Sequence, residues 1–366
     1  MYTTVRESQG AIDASARLMD QQRAGFNGDD RAEAVGALVP LLVDQVMAEA
    51  GVVEPAVAAK AVEQARGDVS RAVSLLRSWV SCLPREATAV VGWRGIEVER
   101  RITPAMSEPD GGQFLGASLD YAPRLLNLGS SLSAETSSDA TEPAAEHGAE
   151  PAAEPLVLPR AAARLEEQDL INAAEPAEPV DITRRASAAG AGRGAFGQFL
   201  SRAETGALTA LAYTAVREGP KQADPTLVEL RAGQLPVSVP HPRTGNPVRI
   251  GSVPVTTCEL VLYHVQVDSS GEHTDSGFTL GYGATAGRVE RRAISAAMLD
   301  ARVTRAQGNP PGTATLPSDD AEWLITALDG QEATGFVEHL KLAHHVSFAS
   351  DLDRVRAVGE TRAEED

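Results

Sequence analysis

Between residues 130 and 180 the chain changes character, and that change limits what the rest can fold into. Ala, Glu, Pro and Ser dominate the segment and its charges are overwhelmingly acidic. Residues 130–155 cannot bury enough apolar surface to offset the entropy lost on ordering, so they read as a flexible linker or insertion. Leu156–Leu170 has enough apolar positions for one helix. Any core must therefore be assembled from the blocks on either side. A second low-complexity patch, Ala186–Gly194, precedes a predicted helix over Gly197–Val216.

The N-terminal block reads as helices. Leu38, Val39, Leu42, Val43, Val46 and Met47 recur at the spacing of one buried helix face from Val35 onward, and Gly51 suits the end of that helix. A second helix is expected over Val57–Arg66, ending near Gly67. Asp68 can cap a third, whose buried face carries Val69, Ala72, Val73, Leu76 and Val80. Ile12, Ala16 and Met19 suggest another short helix.

Alternation over Ile96–Ile102 predicts a strand, followed by a glycine-rich turn over Pro109–Gly116. Leu235–Val239, Val248–Ile250 and Glu259–Val267 also read as strands. Gly281–Gly287 leads into a helix over Val289–Arg305, and Ala321–Leu328 is helical. The fold class is α+β: a helical domain over 1–95, a strand and turn region over 96–129, the acidic segment over 130–180, a mixed domain over 181–350 and a charged tail over 351–366.

Composition excludes several functions. A net charge of −18 disfavours nucleic acid as a partner, because phosphate contacts need clustered Lys and Arg. A polyanionic substrate would need a local basic pocket or a cation. Aromatics make up only 4% of the chain, so the core must rely on Ala, Val and Leu. Cys82 and Cys258 form no CxxC pair, which argues against a disulfide framework. The chain has no secretory leader pattern and no apolar run long enough to span a bilayer, so the expected location is the cytoplasm.

Several residues carry candidate chemistry. His339 and His344, with His345 as a third candidate, are imidazoles suited to zinc, although a spacing of five needs a bend or a helix end between them. The alternative is an exposed histidine beside a hydrogen-bonded core one. Gly281, Gly283 and Gly287 before a helix fit a phosphate-binding turn, or a tight strand-to-helix turn that holds no ligand. Arg100 and Arg101, near Gly111, Gly112 and Gln113, can hold anionic oxygens or pair as surface residues. Ala65–Leu76 is similar to the last helix of a ubiquitin-associated-like module, or is simply packed within its own domain. The chain contains no Ser-His-Asp nucleophile motif, P-loop or HExxH.

Taken in order, the motifs resemble the PhnI family of the bacterial carbon–phosphorus lyase complex. They run from Met1-Tyr2 and Gly10–Ala14 through Glu97–Ile102, Gly111–Gly116, Asp120-Tyr121 and Asp181–Arg184. They continue with Leu208–Tyr213, Thr257–Glu259, Gly281–Gly283, Glu290-Arg291 and Gly335–Leu342. The resemblance implies a nucleosidase-type subunit that works with PhnG, PhnH and PhnL. ATP and an alkylphosphonate would become ribose 1-phosphonate 5-triphosphate and adenine. PhnJ, PhnK and a second copy of the chain are further implied partners. The family's zinc-holding histidine pair falls on His339 and His344. Glu259 and Glu290 are candidates to stabilise a cation-like sugar, and Lys341 to contact phosphate. Two other readings stay open: a non-catalytic scaffold subunit, or a helical interaction module.

Overall fold

A computed structural model describes residues 8–23, 28–89, 95–116, 158–172, 180–184, 192–218, 225–267, 273–307, 316–341 and 345–365. The N-terminal part contains α1 (Ser8–Arg23), α2 (Gly28–Leu38), α3 (Pro40–Ala50), α4 (Pro55–Gln64) and α5 (Val69–Ser81). The single helix expected from Val35 is two. Proline disfavours helical backbone at the residue before it and is tolerated at the first helical position, so Val39 leaves the helix and Pro40 starts α3. Gly51 closes α3 in the left-handed conformation, at φ 71°, where its N–H reaches Met47 O at 2.9 Å. Asp68 caps α5 as expected, accepting from Arg71 N at 3.0 Å.

α3, α4 and α5 share one core of Val43, Met47, Ala58, Val62, Ala72 and Leu76, with Val35 of α2 packed against it. Burying a side chain such as Met47 or Leu76 contributes about 1.5–3 kcal/mol. The expected helix over residues 12–19 is longer, as α1, and stays exposed.

The second part is built on a sheet. In chain order come β1 (Glu97–Ile102), α6 (Ala163–Glu166), β2 (Ile171–Asn172), α7 (Gly192–Arg202), α8 (Thr205–Glu218), β3 (Pro225–Pro240), β4 (Pro247–Val267), β5 (His273–Ala286) and α9 (Glu290–Gln307). Then follow α10 (Ala321–Ala327), α11 (Gly330–His339) and α12 (His345–Glu365). The strand order is β1-β3-β4-β5-β2, antiparallel except for the short β2–β5 pairing. The class is α+β, as the sequence indicated.

α9 lies on one sheet face, where Ala293, Ala297 and Ala301 meet Cys258, Leu260 and Leu262. The opposite face packs Val228 and Val261 against Ala161, Ala162 and Ile171. A further core of Phe196, Leu200, Leu208, Leu299 and Leu324 joins α7, α8, α9 and α10.

Several sequence expectations change. Leu235–Val239 and Val248–Ile250 are not separate short strands but the outer ends of the long β3–β4 hairpin, which turns at 241–246. Within Leu156–Leu170 only Ala163–Glu166 is helical among the described residues; Arg101 and Arg231 hold the carbonyls of Leu158 and Pro159 ahead of it, and Ala161 and Ala162 pack on the sheet. The helix expected over Gly197–Val216 breaks between α7 and α8, where the Glu204 carboxylate accepts from Gly206 N and Ala207 N and starts a new helix. Residues 351–365, the charged tail of the sequence, continue α12. The acidic run at 130–155 and the Asp120-Tyr121 motif lie outside the described residues, as does His344.

Candidate functional site

The two parts are tied together by acidic groups on α3. Glu49 is buried and accepts from Thr205 N at 3.0 Å and from Thr205 Oγ1 at 2.5 Å. Arg292 of α9 lies 3.5 Å from the same carboxylate and donates to Thr205 Oγ1, Ser201 O and Ala203 O. Burial lowers the Arg292 guanidinium to about 10, against the pull of Glu49. Asp44 likewise accepts from Arg288 N and Arg288 Nε, both at 3.0 Å.

Beside this junction lies a cleft of about 1410 Å³, walled by the end of α3, by α5, by α7 and α8, and by residues 325–334. Arg77, Arg85, Arg184 and Arg202 line it. Arg77 Nη2 donates to Glu49 O at 2.7 Å, and Arg202 Nη2 to Ala50 O at 3.1 Å, so both close the carbonyl end of α3. Cations belong at a helix C-terminus, and part of their placement has that cause. Yet the Nε atoms of Arg77 and Arg202 are buried without a hydrogen-bond partner among the described residues. Burial pulls both guanidiniums below their ordinary range; Arg77 and Arg85 pull Arg202 down further. Arg85 pairs with Asp181 and donates to Thr183 Oγ1 at 3.0 Å, and Arg184 Nε lies 3.6 Å from Asp181.

The carboxylates along the cleft cap helices as well as favouring the charge on the arginines, Asp329 and Glu49 on Arg77 and Asp181 on Arg202. Glu204 caps α8, and Asp329 caps α11 by accepting from Gln331 N and Glu332 N at 3.1 Å. Glu49 serves Thr205 and Arg292. The arrangement suits an elongated anion rather than a neutral ligand.

The arginines expected to bind an anion do something else. Arg101 is fully buried and donates to Glu229 Oε1 at 2.5 Å, to Asp110 O and Gly112 O, and to Pro159 O. Arg100 donates to Glu290 Oε1 at 2.6 Å and to Leu115 O. These contacts hold the glycine-rich turn and residues 158–160 against the sheet. Gly111 and Gly112 bend that turn, both with positive φ, and Gln113 Oε1 accepts from Thr103 N at 3.0 Å. No local pattern around Arg100 and Arg101 marks the pair as buried.

Gly281 and Gly283 are not in a turn: they lie within β5, opposite Leu260 and Cys258. A Cβ on Gly281 would come within 2.1 Å of Ala297 O, and one on Gly283 within 2.0 Å of Ala293 O. They are glycine because α9 presses directly on the strand. Gly287 does turn into α9, but the carboxylate near that helix start is Asp44.

Glu290 is the buried partner of Arg100. Glu259 faces Glu229 on β3 and Tyr282 on β5, on the face away from α9. Its Oε1 lies 2.6 Å from Arg160 Nη2, while Oε2 is buried with no hydrogen-bond partner among the described residues. Burial raises the Glu259 carboxyl above its ordinary range; Arg160 opposes the rise and Glu229 adds to it. Neither Glu259 nor Glu290 lines the cleft.

Lys341 is exposed and pairs with Glu338 at 2.8 Å. His339 is exposed at the end of α11, the helix whose first turn lines the cleft, and the side chain of His345 lies outside the described residues. Among the described residues no three His, Cys, Asp or Glu side chains gather into a metal site. Of the cleft arginines, only Arg184 stood in a motif singled out from sequence, Asp181–Arg184. Arg77, Arg85 and Arg202 come from segments with no shared pattern.

A family model described as "Bacterial phosphonate metabolism protein (PhnI)" matches residues 1–362. The chain is 35% identical over 367 residues to the alpha-D-ribose 1-methylphosphonate 5-triphosphate synthase subunit PhnI of Rhizobium meliloti, covering 97% of this chain and 94% of that protein. It is 33% identical over 361 residues to the protein of the same name from Escherichia coli, covering 97% and 98%.

Proposed function

This chain belongs to the PhnI family of bacterial phosphonate metabolism proteins, and from that membership we propose that it is a subunit of a ribose 1-methylphosphonate 5-triphosphate synthase. The observation that carries the reading is the match to synthase subunits along nearly the whole length of both partners. The cleft supports it. Its 1410 Å³ exceeds the ~300–1,000 Å³ usual for small-ligand sites and leaves room for a nucleoside triphosphate together with a phosphonate.

The reaction is a displacement at C1′ of the ATP ribose. A phosphonate oxygen forms a bond to C1′ as the bond from C1′ to adenine N9 breaks. The electron pair leaves with the base, which takes up a proton. The transition state is cation-like at the sugar, and the negative oxygen of the incoming phosphonate is placed to stabilise it. Glu290 and Glu259 are held by arginines away from the cleft, so the reading does not depend on a carboxylate from either.

Partner subunits complete the assembly, and PhnG, PhnH, PhnJ, PhnK and PhnL, with a second copy of this chain, are the proposed set. Exposed Phe336 and Val337 on α11, Leu340 just after it, and Phe348, Val355 and Val358 on α12 provide apolar surface for such contacts. His339 and His344 are proposed to hold zinc. An exposed imidazole at a helix end is a suitable donor, but two imidazoles do not close a site, so water, substrate oxygens or a partner must supply the rest. A bound zinc would supply positive charge for phosphate oxygens.

The test is to incubate the co-expressed complex with ATP and methylphosphonate and to separate the products. Adenine and the ribose 1-methylphosphonate 5-triphosphate should appear in equal amounts, and omitting this chain should abolish both. Unchanged product formation without the chain would reduce it to a scaffold.

A further inference from the structure

The cleft arginines are not used by the proposed displacement at C1′, and their arrangement goes beyond what holding α3 requires. One guanidinium donor on each of Arg77 and Arg202 satisfies the carbonyls of Glu49 and Ala50. A single cation would serve a helix end. Here two guanidiniums converge on it, both with buried Nε atoms that lack a partner among the described residues. Leaving a charged donor unmade in a partly desolvated site is costly, and crowding like charges adds to the cost. Arg85 lies in the same field as Arg202, and Arg184 stands by the same Asp181 that Arg85 holds. All of this occurs in a chain of net charge −18, where cations are otherwise outnumbered.

From this geometry we infer that Arg77 and Arg202, with Arg85 and Arg184 at the mouth, form the seat for the triphosphate of the nucleotide. The inference rests on the synthase reading and assigns the polyphosphate end of the substrate. A polyphosphate carries several anionic oxygens along a short chain, which matches cations drawn from α5, α7 and the flanking segments at 85 and 184. Binding would offset the repulsion between the guanidiniums that line the cleft. The base and sugar would then extend along the rest of the cleft.

The experiment uses the full chain in its co-expressed complex and inorganic tripolyphosphate as the probe, with binding followed by calorimetry. Arg77→Gln and Arg202→Gln should each weaken tripolyphosphate by about tenfold or more. Arg354→Gln, on the exposed face of α12, should leave it unchanged. The KM for ATP should rise in the cleft variants while adenine binding stays the same; a purely structural role would move both, together with the thermal midpoint. Should the variants fail to fold, the wild type still decides the matter. Tripolyphosphate should block phenylglyoxal labelling of the exposed Arg85 and Arg184. Wild-type complex that does not bind tripolyphosphate, or variants that bind it normally, would overturn the inference. Failure of the synthase reading is a separate outcome: wild-type complex that binds tripolyphosphate but releases no adenine.

Discussion

Arg160 reaches from the segment lying over the sheet to hold one oxygen of Glu259 at 2.6 Å, and leaves the other buried without a partner among the described residues. The carboxyl is consequently pushed above its ordinary range, chiefly by burial. The folded chain thus binds this proton more tightly than the unfolded chain does. Its contribution to stability is fully present below the unfolded Glu value of about 4.3, and is lost as pH rises through the folded value. Glu259→Gln removes that dependence. Urea midpoints measured from pH 4.5 to 8 should show the variant gaining on the wild type as pH rises. A constant difference across the range would mean that the carboxyl is not perturbed.

The same neighbourhood protects a thiol. Cys258 is buried between β4 and α9, and burial, then Glu259, push its thiol well above the ordinary range. Cys82 is exposed. A thiol reagent at pH 8 should therefore label Cys82 alone in the native protein and both cysteines in denaturant. Rapid native labelling of Cys258 would contradict the packing of α9.

Gly283 lets α9 touch the sheet. A Cβ there would lie 2.0 Å from Ala293 O and 2.6 Å from Ala297 N, both backbone atoms that cannot step aside. Gly283→Ala should cost about 1–3 kcal/mol or more, as overpacking does. Chemical denaturation of the variant checks this, and a midpoint equal to wild type would show that the helix and strand are farther apart than described.

Arg101 anchors three segments at once. It binds Glu229, which Arg231 also approaches at 2.8 Å, and it holds the carbonyls of Asp110, Gly112 and Pro159. Arg101→Met strips one cation from a buried carboxylate and frees the turn. A loss of about 3–5 kcal/mol is expected, seen as a lowered unfolding midpoint or as insoluble protein. A change within about 0.5 kcal/mol, the range of an ordinary surface substitution, would remove Arg101 from the brace.

The helical N-terminus, the β1 strand, the Asp68 cap and α9 were all legible in the amino-acid sequence. Each depends on neighbours within a few residues: a 3.6-residue apolar period, an alternation, or a side chain that reaches its own next turn. Family membership was legible too, because short motifs spread in order along the chain survive as text. The break at Pro40 was visible in principle, but the apolar period running across it masked the stop. Gly281 and Gly283 could not be assigned from sequence. A glycine that permits a turn and a glycine that permits contact look alike until Ala293 and Ala297 are known to lie above them. Arg100 and Arg101 were equally ambiguous, since an arginine aimed at a ligand and one aimed at Glu290 or Glu229 differ only in what the fold brings near. The cleft was the least visible of all. Arg77, Arg85, Arg184 and Arg202 come from distant segments, and only the docking of α3 and α5 against α7, α8 and α11 makes neighbours of them. Local backbone preference writes helices and strands into the sequence, whereas the burial and charge of a side chain depend on long-range packing that no local pattern encodes.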